Sequence, residues 1–290
     1  MLGEIFLQAG SFFVSDRSDG GPRSAKITIL SVGDSHTYGA GVETGESYPS
    51  HLQRFLDAKA PNRYRVVNLG IPGLNTAQVR HRLPLWASRY DPKVIIVWCG
   101  VNNAWNLAEV DSGQLGWRER LEGFAAHSRL YRFVRVAIHD RELEASNVTK
   151  AGNDTPWLDV GKHGLAGEML LHIAGRLERI KYGLSSDVNV WKGMKERAQR
   201  DFEAIYGFAE SARARLIFVT YPFETEAPFM SANEAIRDVA KQHGLTVIES
   251  TPAVIRVPVN DRLFLPGNHP TGPTYREIAR DVADAVLQEQ

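Results

Sequence analysis

The chain has 290 residues, with Lys+Arg and Asp+Glu at 34 each, 43% hydrophobic and 23% charged residues. A formal net charge of zero argues against a nucleic-acid partner, which needs a basic face, and the single cysteine, Cys99, excludes an intrachain disulfide. The length suits one large α/β domain spanning 1–290, with room for a sizeable insertion.

Met1 to Val14 is apolar but too short to span a bilayer, carries Glu4, and lacks the basic start of a signal peptide. It reads as a short helix packed on the domain, with the stub of a membrane-proximal segment as the other reading. No later stretch approaches a transmembrane helix, so the cytoplasm is the expected compartment. Ser15 to Lys26, with Gly20, Gly21 and Pro22, reads as a linker. Ile27 to Val32 is a strand ended by Gly33, and Tyr48 to Ala58 a helix. Arg65 to Leu69 is a second strand, followed by Gly70, Pro72 and Gly73, and Thr76 to Arg89 a second helix. Lys93 to Cys99 is a third strand, nearly all apolar, as expected of a parallel strand covered on both faces. The thiol of Cys99 therefore belongs in the core.

From about Ala104 to Ala212 no strong strand signal is present, and the region reads as a mostly helical insertion. Trp117 to Arg141 and Ala166 to Gly183 carry roughly helical spacing, Ala151 to Gly164 is loop-like, and Trp191 to Ala212 is a helix. Arg215 to Thr220 and Leu245 to Ile248 are the fourth and fifth strands of the expected sheet, with helices at Asn233 to His243 and Thr274 to Gln288. Alternating strands and helices predict an α/β fold: a doubly wound, five-stranded parallel sheet of flavodoxin-like 2-1-3-4-5 order, with the insertion after strand three.

Four segments carry polar groups at strand ends or in the last loop: Gly33-Asp34-Ser35-His36, Asn68 to Thr76 with Gly70 and Gly73, Gly100-Val101-Asn102-Asn103, and Gly267-Asn268-His269-Pro270. Singly, each also reads as an ordinary turn or cap. Together they converge on the carboxyl edge of the sheet where strand order reverses, the usual ligand crevice of such folds. His36, His51 and His81 read as surface or capping residues.

In combination, order and strand context, the four segments resemble the four sequence blocks of the SGNH hydrolases, the GDSL-like esterases and lipases. The resemblance covers roughly Ile27 to Trp105 and Arg215 to Leu287, and not the insertion. It implies a serine hydrolase of small-acyl esters, acetyl groups on a sugar among them, with Ser35 as nucleophile and His269 as general base. Ser35 N–H, Gly73 N–H and the Asn102 side chain would form the oxyanion hole. No metal or organic cofactor is implied, and the partner is a small-molecule or glycan ester. His36 replaces the family's usual leucine. The family also places an Asp two or three residues before the histidine, where this chain has Pro266 and Gly267. Asp261 is then the first candidate to orient His269, Glu249 the second and a backbone carbonyl the third.

Acyl transfer to a carbohydrate would use the same residues. A non-catalytic glycan-binding protein is the reading from outside enzymology. Thr37 excludes the G-x-S-x-G elbow, and no H-E-x-x-H, Cys/His cluster or phosphate loop is present. Trp105, Trp117, Trp157 and Trp191 either bury the insertion or form an apolar lid.

Overall fold

A computed structural model of the chain describes residues 25, 27–110, 168–173, 176–183, 193–225, 227–262 and 269–288. The N-terminal segment, Trp117 to Arg141, Ala151 to Gly164, Trp157, Trp191 and residues 266–268 lie outside this set.

Five parallel strands form the main sheet: β1 (Ile27–Gly33), β2 (Tyr64–Gly70), β3 (Val94–Trp98), β6 (Arg215–Val219) and β7 (Thr246–Ile248), in the order β2-β1-β3-β6-β7. Alternate residues feed two cores. Leu30, Val32, Ile95 and Val97 face one side, and Ile29, Val94, Ile96 and Trp98 the other. This two-sided burial is why the strand sequences are continuously apolar. Cys99 is buried on the first side, and burial pushes its thiol pKa well above the usual range.

Seven described helices connect or flank the strands: α1 (Ser35–Tyr38), α2 (Tyr48–Lys59), α3 (Thr76–Tyr90), α4 (Met194–Ser211), α5 (Ala227–His243), α6 (Ser250–Arg256) and α7 (Gly272–Gln288). Helix α3 starts on a capping box, with Asn75 accepting from Gln78 N–H and Gln78 accepting from Asn75 N–H. Helix α5 begins six residues before its expected start at Asn233. Pro228 falls in its first turn, where a missing N–H costs nothing, and Phe229 is buried.

The segment expected as a helix over Ala166 to Gly183 is instead an antiparallel pair, β4 (Glu168–Ile173) and β5 (Arg176–Lys181). Leu170, Ile173, Leu177 and Ile180 do satisfy helical spacing, but Met169, Leu171 and Ile173 also alternate. A short apolar run supports either state, and the partner strand decides.

His51, expected as a surface or capping residue, is 6% exposed beneath the turn that carries Glu46. Its Nδ1 accepts from Arg54 at 2.7 Å, because a guanidinium can only donate, and its Nε2 faces Glu46 at 3.2 Å. Burial first, then the Arg54 charge, lowers its pKa from 6.5 to about 4. Below pH 6.5 the unfolded chain therefore takes up a proton that the folded chain refuses until about pH 4. Stability falls as pH falls through that window, with His51 contributing up to about 1.4 kcal/mol per pH unit. His51→Gln is expected to flatten this part of the urea-denaturation profile between pH 7 and pH 4, and an unchanged slope would show that His51 is not its source.

Candidate active site

Strand β1 ends at Gly33, and the chain turns at once into α1. The turn is fixed from both sides. Asp34 N–H donates to Trp98 O at 3.2 Å, while the Asp34 carboxylate caps α1 by accepting from His36 N–H at 2.9 Å. Gly39, at φ 83°, ends the single helical turn. Ser35 thus stands at the carboxyl edge of the sheet, 9% exposed. His269, 8% exposed and immediately before α7, places Nε2 at 2.7 Å from Ser35 Oγ across 234 residues of sequence.

Asn102 arrives from the other side of β1, on the 3-10 turn Val101–Ala104 after β3. Its Nδ2 donates to Leu74 O at 3.0 Å and lies 3.5 Å from Asp34 Oδ2. The amide therefore sits between the neighbours in sequence of Gly73 and Ser35. Its Oδ1 accepts from Trp105 Nε1 at 3.0 Å. An indole N–H only donates and a carbonyl only accepts, so the amide's orientation is determined by its partners. Reversing it would leave buried polar groups unpaired at about 1–3 kcal/mol each.

Gly73 adopts φ +80°, and a Cβ there would meet Tyr182 Cε1 at 2.7 Å and Trp105 Cη2 at 3.2 Å. Only glycine combines that conformation with that proximity. The chain leaving β5 holds the same loop. Tyr182 Oη donates to Pro72 O at 2.7 Å, and Asn106 Nδ2 donates to Gly73 O at 2.8 Å while its Oδ1 accepts from Gly183 N–H at 3.0 Å. Trp105 packs against the Gly73 loop and binds Asn102.

Beneath Ser35, the buried Tyr221 donates its hydroxyl to Asp34 Oδ2 at 2.5 Å and accepts from Val101 N–H at 3.2 Å. Burial, and then the negative charge of Asp34, push the Tyr221 pKa far up, so the phenol stays protonated and donating. His36, expected as a surface or capping residue, is 1% exposed, with its ring 4.8 Å from those of both Tyr221 and His269. The sequence reasoning missed Tyr221, Asn106 and Tyr182 as parts of the site, and named Trp105 only as core of the insertion or lid. Only Tyr221, just past a sheet strand's carboxyl end, carried a positional signal.

Asp261, the first candidate to orient His269, does not do so through its carboxylate. It lies exposed at the end of the 3-10 turn Val259–Asp261, and its contact with the His269 loop is its backbone carbonyl accepting from Thr271 Oγ1 at 2.8 Å. Glu249 is committed elsewhere: Arg237 donates to it at 2.9 and 2.7 Å and Thr220 at 3.0 Å. The Arg237 bonds hold its carboxyl below the usual range. Among the described residues, no group of three or more His, Cys, Asp or Glu is placed to hold a metal ion, and no helix is long and apolar enough to cross a membrane.

Residues 31–176 match the sequence model of the GDSL-like Lipase/Acylhydrolase family. The chain belongs to this family. The match spans Ser35, Gly73 and Asn102 and ends before His269. Solved structures share the fold of this GDSL-like chain. An α/β hydrolase enzyme from the metagenome of Lake Arreo, Spain, is 15% identical at a TM-score of 0.52, covering 92% of this chain and 98% of its own. An acetylxylan esterase from Geobacillus stearothermophilus is 14% identical at 0.52, covering 92% and 96%. A lipase/acylhydrolase from Enterococcus faecalis is 14% identical at 0.51, covering 90% and 95%. Among curated proteins, no sequence matches the chain.

Proposed function

We propose that this GDSL-like chain is a serine ester hydrolase acting through an acyl-Ser35 intermediate. The observation that carries the reading is the 2.7 Å contact between His269 Nε2 and Ser35 Oγ. With the ring proton on Nδ1, Nε2 takes the hydroxyl proton as Oγ attacks the ester carbonyl. The carbonyl's π pair moves on to oxygen, and the Ser35 N–H, Gly73 N–H and Asn102 Nδ2 stabilise that oxyanion. Collapse of the tetrahedral intermediate expels the alcohol, which receives its proton from His269. Water, deprotonated by His269 in turn, releases the acid and restores Ser35.

Family membership supports ester chemistry, and the acetylxylan esterase among the fold neighbours supports small-acyl esters as the substrate class. The Asp261 geometry supports a Ser–His dyad rather than a triad closed by that residue. The test is a fluorophosphonate probe together with p-nitrophenyl acetate and butyrate. Wild-type protein is expected to take the label on Ser35 and to turn over the acetate faster than the butyrate. Ser35→Ala is expected to do neither. Unlabelled wild type with background hydrolysis in both proteins would overturn the reading.

A further inference from the structure

The Asn102 side chain has two N–H bonds and three claims on them. Leu74 O takes one at 3.0 Å. The Asp34 carboxylate stands 3.5 Å from the same nitrogen, at the limit of a hydrogen bond. A substrate oxyanion would need that second N–H. A carboxylate is a strong acceptor, and charge-assisted N–H···O bonds contract to about 2.7–2.9 Å when nothing resists. Two groups resist here. Tyr221 already donates to the same Asp34 oxygen at 2.5 Å, which reduces its demand for another donor. At the other end of the amide, the Trp105 indole holds Oδ1 at 3.0 Å.

We infer that Trp105 is a positioning residue: by holding Asn102 Oδ1, its indole N–H keeps one Asn102 N–H off the Asp34 carboxylate and available to a substrate oxyanion. The inference deepens the hydrolase reading and rests on it. The anchor is rigid. Trp105 is 6% exposed, its ring lies 6.0 Å from that of Tyr182, and its backbone N–H donates to the Asn102 backbone carbonyl at 3.1 Å. Water therefore does not replace the indole, and the two residues are joined at two points, indole to side-chain amide and backbone to backbone.

Trp105→Phe keeps an aromatic ring and removes the donor. With p-nitrophenyl acetate it is expected to lower kcat about 10–100-fold while KM changes less than about threefold, since the lost interaction serves the transition state. Asn102→Ala is expected to cost about 10²–10³-fold. Because Trp105 acts through Asn102, the double variant should be no slower than Asn102→Ala alone. The rate of fluorophosphonate labelling at Ser35 should follow the same pattern. If Trp105→Phe does not fold, replacing the indole by a benzothiophene removes the N–H at nearly constant shape. Wild-type rates in the Trp105 variant, or effects that multiply in the double variant, would overturn this inference while leaving the hydrolase reading intact. A wild type that never labels at Ser35 would overturn both.

Discussion

Alanine at Ser35, alanine at His269 and both together are expected to slow p-nitrophenyl acetate turnover by the same factor, roughly 10⁶. In the proposed mechanism Ser35 and His269 act as one unit: the 2.7 Å contact between them has no function once either partner is gone. Removing the second partner then costs nothing further. What survives is the slow reaction supported by binding and by the oxyanion donors. The same measurement separates the unit from its surroundings. Asp261→Ala is expected to stay within about twofold of wild type, because that residue is exposed and reaches the His269 loop through its backbone. Effects of Ser35→Ala and His269→Ala that multiply would mean the two residues act independently. A loss approaching 10⁴-fold in Asp261→Ala would restore that residue as the triad's acid.

Gly70→Ala is expected to destabilise the fold by at least about 3 kcal/mol, beyond the usual range of overpacking. Gly70 ends β2 and pairs with Gly33 at the end of β1, where α1 folds back over both strands. A Cβ on Gly70 would lie 2.1 Å from Tyr38 N and 2.6 Å from Thr37 C. Both are backbone atoms of the turn that carries Ser35, so the clash cannot be relieved by rotating a side chain. The variant must move α1 or part the ends of β1 and β2, and either displaces Ser35 from His269. Gly207, inside α4, has nothing within 4 Å of its virtual Cβ. There the same substitution is expected to stabilise by about 0.5–1 kcal/mol, through lower unfolded-state entropy and better helix propensity. Urea unfolding of both variants checks the contrast. Equal shifts in the two would show that the close approach at Gly70 is not what constrains it.

How far the site was legible follows from what each residue's signal depends on. Ser35, Gly73 and Asn102 sit two to four residues past the ends of strands, and position on a parallel sheet is readable from apolar runs alone. His269 was readable from its place before the last helix together with those three. The orienting group for His269 was not readable, because Pro266 and Gly267 remove the usual side chain and any substitute is chosen by proximity in space. The β4–β5 pair was misread because its apolar residues satisfy two periods at once, and the competing pairing energy lies in another segment. His36 and His51 were misplaced for a related reason. A polar ring is buried only where partners await it, here Asp34, Tyr221, Arg54 and Glu46, and those partners are not its sequence neighbours alone.

By itself, then, the sequence determined the layered α/β architecture and the edge on which the chemistry gathers. These depend on local periodicity and on the handedness that polypeptide chirality imposes on crossovers. The tertiary structure decided which hydrogen-bond partners each polar group found: that Tyr221 and not solvent satisfies Asp34, that Trp105 holds Asn102, and that Tyr182 closes over Gly73. Hydrogen bonds are short-ranged and directional, so their partners exist only once the fold has brought distant segments within about 3 Å of one another.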